Sequence, residues 1–338
     1  MINLGFGIML SDGCNLACPY CYLKNVPHLR KGSYEQLSKI LKKIDEQTQG
    51  FGVKILFAHG EPFTEFETMK RLVEETSDKF TFSSLSNGTL LDSEKLAWLR
   101  VHKDRVKIFI SLDGNEKIKS RVRNDGKTIY DLIDVKKMFQ ENQDILSRIT
   151  CTISPYNIRN LYEHILYMVD DLCVKSIHFT ICVDKSWSDE DLVIADEQIK
   201  KMHQEFINRY NTDKRFDLWD KKNHFTDPFV PGIKVVPPCE LFIDADGEVY
   251  FCCTTSLLKD ADYTFGNIFK DNLNLEEICQ RTRKHCKMIL TKYLCPGVVS
   301  FGGIPKELDK NAMKFIGLWE KWRKNTSYLF NIGESNDR

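Results

Sequence analysis

The sequence predicts an α/β fold, an open, partial (β/α)6 barrel followed by a small C-terminal α+β domain. Three observations carry this. Between Gly5 and Val183, six short apolar runs alternate with longer segments of helical period. Polar motifs fall at the C-terminal ends of those runs, where the loops of a parallel sheet gather and ligands bind. After Asp184 the alternation stops and a different pattern begins.

The first run, Gly5–Leu10 (GFGIML), reads as a strand, and Tyr34–Gln47 (YEQLSKILKKIDEQ) as an amphipathic helix. Val53–His59 is the second strand, with a helix over ETMKRLVEETSDKF. Phe80–Gly88 is the third, with a helix from Asp92. Val106–Gly114 is the fourth, with a helix across Tyr130–Glu141. Ile145–Ser154 and Val174–Val183 complete the set, separated by a helix over Ile158–Asp170. Such alternation indicates βαβ crossovers and a parallel sheet clothed by helices. Six units are too few to close an eight-stranded barrel, hence the open form.

A charged helix, Ser188–Asn211, leads into the irregular stretch DLWDKKNHFTDPFVPGIKVVPP. CELFIDADGEVYFCC then reads as two alternating strands joined by a turn around Asp246-Gly247. Helices are expected near Leu275–Lys284 and Lys306–Lys324. The division predicted is a barrel core over 1–212, a linker over 213–238 and a C-terminal domain over 239–338.

Lysine plus arginine equals aspartate plus glutamate at 48 each, which removes the electrostatic footprint of a dedicated nucleic-acid binder. No apolar run reaches membrane-spanning length, so no membrane association is expected. MINLGFGIMLSDG has neither a basic n-region nor a small-residue cleavage site, which points to the cytoplasm. There the 12 cysteines read as thiolate ligands rather than a disulfide framework. No internal repeat is present, which excludes a solenoid.

Three of those cysteines, Cys14, Cys18 and Cys21, follow the first strand in CNLACPYC. Structural zinc takes four ligands. Iron–sulfur clusters are also held by closely spaced thiolates, and on a [4Fe–4S] cube three cysteines leave one iron open for chemistry. The bland reading is a zinc-stapled loop or chance clustering. Three further motifs follow in order, each after a strand. They are Gly60-Glu61-Pro62 in FAHGEPF, Ser86-Asn87-Gly88 in SLSNGTLL, and Ser111, Asp113 and Gly114 in ISLDG, the last followed by RVRNDGKTIYD.

Together with Tyr20 ahead of the last cysteine, the C-x3-C-x2-C spacing and these motifs resemble the radical S-adenosylmethionine (SAM) superfamily. The resemblance implies a partial (β/α)6 TIM-like barrel and a [4Fe–4S] cluster on Cys14, Cys18 and Cys21. It implies SAM chelated to the open iron and cleaved by one electron, and a 5′-deoxyadenosyl radical that abstracts a substrate hydrogen. An electron donor such as flavodoxin or ferredoxin follows as a partner. Gly60 and Glu61 resemble the G-G-E-P segment beside the SAM amino group. Tyr20, Ser86, Asn87, Ser111 and Asp113 join the SAM-binding set by their places in the matching motifs. An arginine shortly after the fourth-strand motif commonly meets the SAM carboxylate, as a guanidinium fork suits. Arg121 fits the spacing ahead of Gly126 better than Arg123. The first glycine of G-G-E-P is His59 here, read as a packed residue without a catalytic role.

Cys239, Cys252, Cys253, Cys279, Cys286 and Cys295 fall within 57 residues. The frame CELFIDADGEVYFCC…FGNIFKDNLNLEEIC resembles the SPASM extension or its shortened twitch form, which bind auxiliary clusters. The dense run C-x2-C-x5-C-x3-C of the full form is absent, so one auxiliary [4Fe–4S] cluster is expected, on Cys239, Cys252, Cys286 and Cys295. Cys279 reads as a buried helix residue, and Cys151, Cys173 and Cys182 as core, since free cysteine packs as a small hydrophobe. Successive strand residues point to opposite faces, so Cys252 and Cys253 are not expected on one cluster. Anaerobic sulfatase-maturating relatives place an aspartate after the corresponding cysteine, and here there is none. Some radical SAM peptide epimerases have a similar Cys-Cys pair with a donor thiol. Cys253 is thus a candidate catalytic hydrogen-atom donor, a packing thiol being the other reading.

The leading expectation is modification of a ribosomally made peptide by epimerisation, thioether formation or carbon–carbon cross-linking. A small-molecule radical SAM dehydrogenase or a sulfatase-maturase-like enzyme are alternatives. A non-catalytic metal-binding regulatory protein is another, against which Glu61, Asn87, Ser111 and Arg121 at successive strand ends argue. The first strand begins within ten residues of Met1, so a leader-peptide-binding partner is expected to be a separate protein or unnecessary.

Overall fold

Each of the six apolar runs forms a strand, and all six are parallel. In the computed structural model these are β1 (Asn3–Met9), β2 (Gly52–Ala58), β3 (Phe80–Ser86), β4 (Val106–Ser111), β5 (Arg148–Ile153) and β6 (Ser176–Ile181). The structure describes residues 3–21, 23, 30–49, 51–146, 148–174, 176–182, 187–212, 241–250, 256, 264–279, 311, 314, 317 and 318. Crossovers run through α1 (Tyr34–Gln47), α2 (Phe66–Glu74), α3 (Ser93–Val101), α4 (Ile129–Leu132), α5 (Val135–Glu141) and α6 (Leu161–Leu166), and α7 (Asp189–Thr212) follows β6.

Alternation along the strands separates two faces. Phe6 and Ile8 of β1, Val53, Ile55 and Phe57 of β2, Phe80 and Phe82 of β3 and Ile108 and Ile110 of β4 are buried in one core with the helices. Leu37, Ile40, Leu41 and Ile44 of α1 supply its stripe at helical spacing. The residues between them on the strands, among them Lys54, Thr81, Ser83, Lys107 and Ser111 together with Leu56, Leu85 and Phe109, form the other, mixed face. That face is open enough to leave Leu85 41% exposed.

Departures from the sequence reading have local causes. The predicted strands two to four run on to His59, Gly88 and Gly114, but the observed strands stop earlier, at Ala58, Ser86 and Ser111, and the first of these is followed directly by His59 at φ +71°. Left-handed backbone breaks the ladder. The predicted helix Tyr130–Glu141 is two helices, because the Asp134 side chain accepts the Lys137 N–H at 2.9 Å and restarts it as an N-cap. Cys151, Cys182 and Cys279 are buried as expected. Cys173 is not core: it is exposed, at φ +52°, in the turn that follows the π-helix Tyr167–Asp171.

The C-terminal strands extend the same sheet. β7 (Leu241–Ile243) runs parallel to β1, with Gly7 level with Phe242, and β8 (Glu248–Tyr250) and β9 (Thr264–Asn267) follow antiparallel. Among the described residues the order is β6-β5-β4-β3-β2-β1-β7-β8-β9. The predicted turn at Asp246-Gly247 holds, with Gly247 at φ +86° and the Asp244 carboxylate accepting the N–H groups of Asp246 and Glu248. On the inner face Phe242, Ala245 and Tyr250 pack with Met9, Leu56 and Ala58 in a second apolar cluster. The predicted linker 213–238 lies outside the described residues, as do Cys239, Cys252, Cys253, Cys286 and Cys295. Of the two C-terminal helices, residues 275–279 and 311, 314, 317 and 318 are described and helical.

Candidate active site

Four loops meet at the C-terminal ends of β1–β4. The loop after β1 carries Cys14, Cys18 and Cys21, and its base is closed by Asp12 N–H donating to the Arg30 carbonyl at 2.9 Å and Gly32 N–H to Leu10 at 2.9 Å. Cys21 N–H folds back on the Cys18 carbonyl at 3.0 Å, and Ala17 N–H ties the loop to Val122 at 2.6 Å. Burial of its sulfur within the loop pushes the Cys14 thiol up to about 11, although the residue also meets solvent, and the charges of Glu61, Cys18 and Cys21 add to the rise. Burial raises Cys18 as well.

Three thiolates gathered there require a cation to offset burial and mutual repulsion. Among the described residues no three His, Cys, Asp or Glu side chains converge on a single-ion site. An iron–sulfur cluster takes each thiolate on a different iron, so its ligands surround a cage rather than a point. The donor set fits such a cluster.

The loop after β2 lies on the cysteine loop. Glu61 N–H donates to the Gly13 carbonyl at 2.7 Å, and Gly60, at φ +50°, passes so close that a Cβ would sit 2.2 Å from the Gly13 oxygen. The buried Glu61 carboxylate accepts Ser86 Oγ–H at 2.8 Å, Asn87 N–H at 2.7 Å and Phe63 N–H at 3.2 Å. Burial pushes it up to about 7 even though all three hydrogen bonds favour its charge. The Asn87 side chain donates to Asn15 at 2.9 Å, and Asn15 to Thr89 at 2.7 Å, joining the third loop to the first.

The loop after β4 is organised by Asp113. Its Oδ1 accepts from Arg121 Nη2 and Thr152 N–H, both at 2.9 Å, and its Oδ2 from Ser120 Oγ–H at 2.6 Å and from the Tyr20 hydroxyl. A carboxylate has about four lone-pair positions, and all are taken. Asp113, expected among the SAM-binding residues, thus spends its acceptor positions on four protein donors. Burial works against the Arg121 charge, but Asp113, Tyr20 and Cys18 outweigh it and hold that guanidinium protonated. It stands 5.6 Å from the Tyr20 ring centroid, and its Nε is buried with no hydrogen-bond partner among the described residues. An orphaned donor beside the Cys18 thiol fits an anionic ligand group. Arg123 faces solvent and pairs with Asp125, so Arg121 is the arginine at the site. Ser111 ends β4 on the inner face, level with Thr150.

The sequence reading missed Asn15, Thr89, Ser120 and Thr152. It also missed Tyr156, whose half-exposed ring lies 6.5 Å from Tyr20. Asn15, inside the cysteine motif, was the one with a local signal. Thr152 acts through its backbone, which no side-chain pattern reveals. His59 is buried and packed, as expected.

The Radical SAM superfamily is matched by residues 8–168, and the iron-sulfur cluster-binding domain SPASM by residues 236–295. A cysteine-type anaerobic sulfatase-maturating enzyme of Clostridium perfringens (strain 13 / Type A) is 23% identical over 323 residues, covering 85% of this chain and 86% of that protein. The antilisterial bacteriocin subtilosin biosynthesis protein AlbA of Bacillus subtilis is 23% identical over 278 residues, covering 78% of this chain and 57% of that protein. Among solved structures, anSMEcpe with bound AdoMet has a TM-score of 0.67 at 19% identity, covering 98% of both chains. Streptococcus suis SuiB bound to precursor peptide SuiA has a TM-score of 0.54 at 15% identity, covering 85% of this chain and 67% of that one. These two likenesses are of fold.

Proposed function

For a chain that belongs to the radical SAM superfamily and carries a SPASM domain behind its core, we propose a polypeptide-modifying enzyme whose reaction starts with removal of a substrate hydrogen atom. The observation that carries the polypeptide substrate is the reach of the similarity. It spans both modules in a sulfatase-maturating enzyme and most of this chain in a bacteriocin biosynthesis protein.

The cofactors are a [4Fe–4S] cluster, SAM and an auxiliary iron–sulfur cluster. The chemistry they supply when bound is one-electron cleavage of the SAM sulfonium to a 5′-deoxyadenosyl radical. Cys14, Cys18 and Cys21 hold the first cluster. Gly60 lets the second loop approach the first without a side chain between them, and Glu61 fixes the loop of Ser86 and Asn87 beside it. Arg121 takes the SAM carboxylate through its unused Nε while Nη2 stays on Asp113. Ser111 meets the ribose, and Tyr20 packs at the cluster with its hydroxyl held by Asp113.

Cys239, Cys252, Cys286 and Cys295 hold one auxiliary cluster in a domain over 239–338, joined by 213–238 to the core over 1–212. The SPASM match from 236 to 295 supports that assignment. A flavodoxin or ferredoxin supplies the electron. Cys253 donates a hydrogen atom to the substrate radical. A sulfatase maturase is the second reading, favoured by the 86% coverage of that relative and opposed by the absence of an aspartate after Cys252.

Anaerobic reconstitution with iron, sulfide, SAM and dithionite should yield 5′-deoxyadenosine, and none forming would overturn the radical reading. Co-expression with a precursor peptide encoded nearby, followed by mass spectrometry in heavy water, tests the substrate. A peptide with neither deuterium uptake nor a cross-link counts against the polypeptide reading.

A further inference from the structure

A cluster of buried side chains at the foot of the cysteine loop takes no part in the functions above. The loop leaves the sheet at Asp12 and returns at Arg30, and the Arg30 Nε donates to Asp12 Oδ2 at 2.7 Å. The Asp12 side chain is 1% exposed and the His59 side chain 0%. His59 Nδ1 lies 2.7 Å from Asp12 Oδ1 and 3.4 Å from Arg30 Nη2, and the shorter contact, to a carboxylate that only accepts, favours the proton on Nδ1. On its other side the His59 ring stacks on Phe242 of β7, with centroids 4.9 Å apart and planes at 11°. One imidazole thus touches the entry to the cysteine loop and the first C-terminal strand.

The backbone around His59 explains why this contact matters. His59 adopts φ +71°, a left-handed conformation that residues with a Cβ avoid, so something must hold it there. The next two residues lie on the same stretch of loop that His59 grips: Gly60 packs on Ser11 and Gly13, and Glu61 N–H donates to Gly13. Cys14 follows immediately. Any shift of His59 therefore moves Gly60 and Glu61 on one side and Asp12 and Gly13 on the other.

We propose that His59 is a positioning residue that clamps the base of the cluster loop, through Asp12, against Phe242 of the C-terminal strand, so that docking of β7 sets the geometry of the SAM-binding loops. A glycine at this position keeps the backbone but forfeits the clamp.

The test uses the full-length chain and needs no substrate. His59→Gly removes the ring without backbone strain, and His59→Asn tolerates positive φ and returns an N–H donor toward Asp12. Phe242→Leu keeps apolar volume but removes the stack. Hydrogen exchange is followed over residues 10–32 in cluster-free protein. SAM affinity and the SAM-induced change in the EPR spectrum of the reduced cluster are measured after reconstitution. His59→Gly should speed exchange in that segment and weaken SAM binding by about tenfold at unchanged iron content, the scale typical of groups that orient metal-site ligands. His59→Asn should recover most of the loss, and Phe242→Leu should weaken SAM by about threefold, in line with one aromatic pair.

Wild-type SAM affinity and exchange in His59→Gly overturns the proposal, and so does weakened SAM binding with unchanged loop exchange. Should His59→Gly fail to fold, Phe242→Leu decides: weaker SAM binding with faster loop exchange supports the clamp, and wild-type behaviour overturns it.

Discussion

The backbone N–H of Asn87 donates to Oε2 of Glu61 at 2.7 Å, so the loop after β3 hangs from a carboxylate at the end of β2. Ser86 and Phe63 share the other oxygen, Oε1. Glu61 N–H is itself fixed to Gly13 in the cysteine loop. Three loops are therefore registered through one residue. Its carboxylate can be held either by its hydrogen bonds, which favour charge, or by neutralisation, which burial favours.

Burial prevails and places Glu61 at about 7, against 4.5 for the free group. A carboxyl raised on folding contributes stability that is fully present below the unfolded value and lost as pH climbs through the folded one. The window thus runs from about 4.5 to about 7, and the shift corresponds to roughly 3 kcal/mol. Glu61→Gln cannot titrate. Denaturant unfolding of cluster-free protein should show wild type gaining on Glu61→Gln by that order between pH 8 and pH 5. A gap independent of pH contradicts the assignment.

Gly60 and Gly126 separate strain from collision. Both have positive φ, +50° and +82°, but a Cβ on Gly126 meets nothing within 4 Å, whereas one on Gly60 meets backbone oxygens of Gly13 and Ser11 at 2.2 and 2.6 Å. Gly126→Ala should cost only the left-handed penalty, about 1 kcal/mol. Gly60→Ala should cost about 3 kcal/mol, as for overpacking against atoms that cannot yield, and should lower iron content after reconstitution. Equal unfolding midpoints for the two variants would refute the close approach.

Much of this site was legible in the sequence because its signals are local. The cysteine spacing, Gly60-Glu61 and Ser86-Asn87 each sit within a few residues, and short apolar runs located every barrel strand. What stayed hidden depends on partners distant in the chain. The pairing of β7 with β1 joins Phe242 to Gly7, and no turn or repeat encodes that register. The choice between Arg121 and Arg123 rested on family spacing. In the structure Arg123 pairs with Asp125 at the surface, while Arg121 pairs with buried Asp113. The role of His59 was obscured because its partners, Asp12 and Phe242, lie 47 residues before it and in the far C-terminal part.

Asp113→Asn tests the four-donor carboxylate. The amide has a similar shape but one acceptor oxygen, so Arg121, Tyr20, Ser120 and Thr152 cannot all be satisfied. The dominant cost is a buried guanidinium without its counter-ion, worth about 4 kcal/mol when one partner of a buried pair is removed. Arg121→Met removes that charge, so the double variant should lose less than the sum of the single ones. Denaturant unfolding of all four proteins checks this, and strict additivity would mean the pair does not interact.

Cys253→Ala bears on where the reaction ends. Cys252 and Cys253 are consecutive in the sequence, and the proposal gives the first to the auxiliary cluster and the second to the substrate radical. A thiol can give a hydrogen atom to a carbon-centred radical, leaving a sulfur radical that one electron and one proton from the external donor restore. No carboxylate follows Cys252 to act as a base instead. Cys253→Ala should therefore keep its iron and still form 5′-deoxyadenosine from SAM, while solvent-derived deuterium disappears from the peptide product. Cys252→Ala should instead lose auxiliary iron. Mass spectrometry of the peptide in heavy water reads the first result and iron analysis the second. An unchanged, deuterium-labelled product from Cys253→Ala would leave that thiol with a packing role alone.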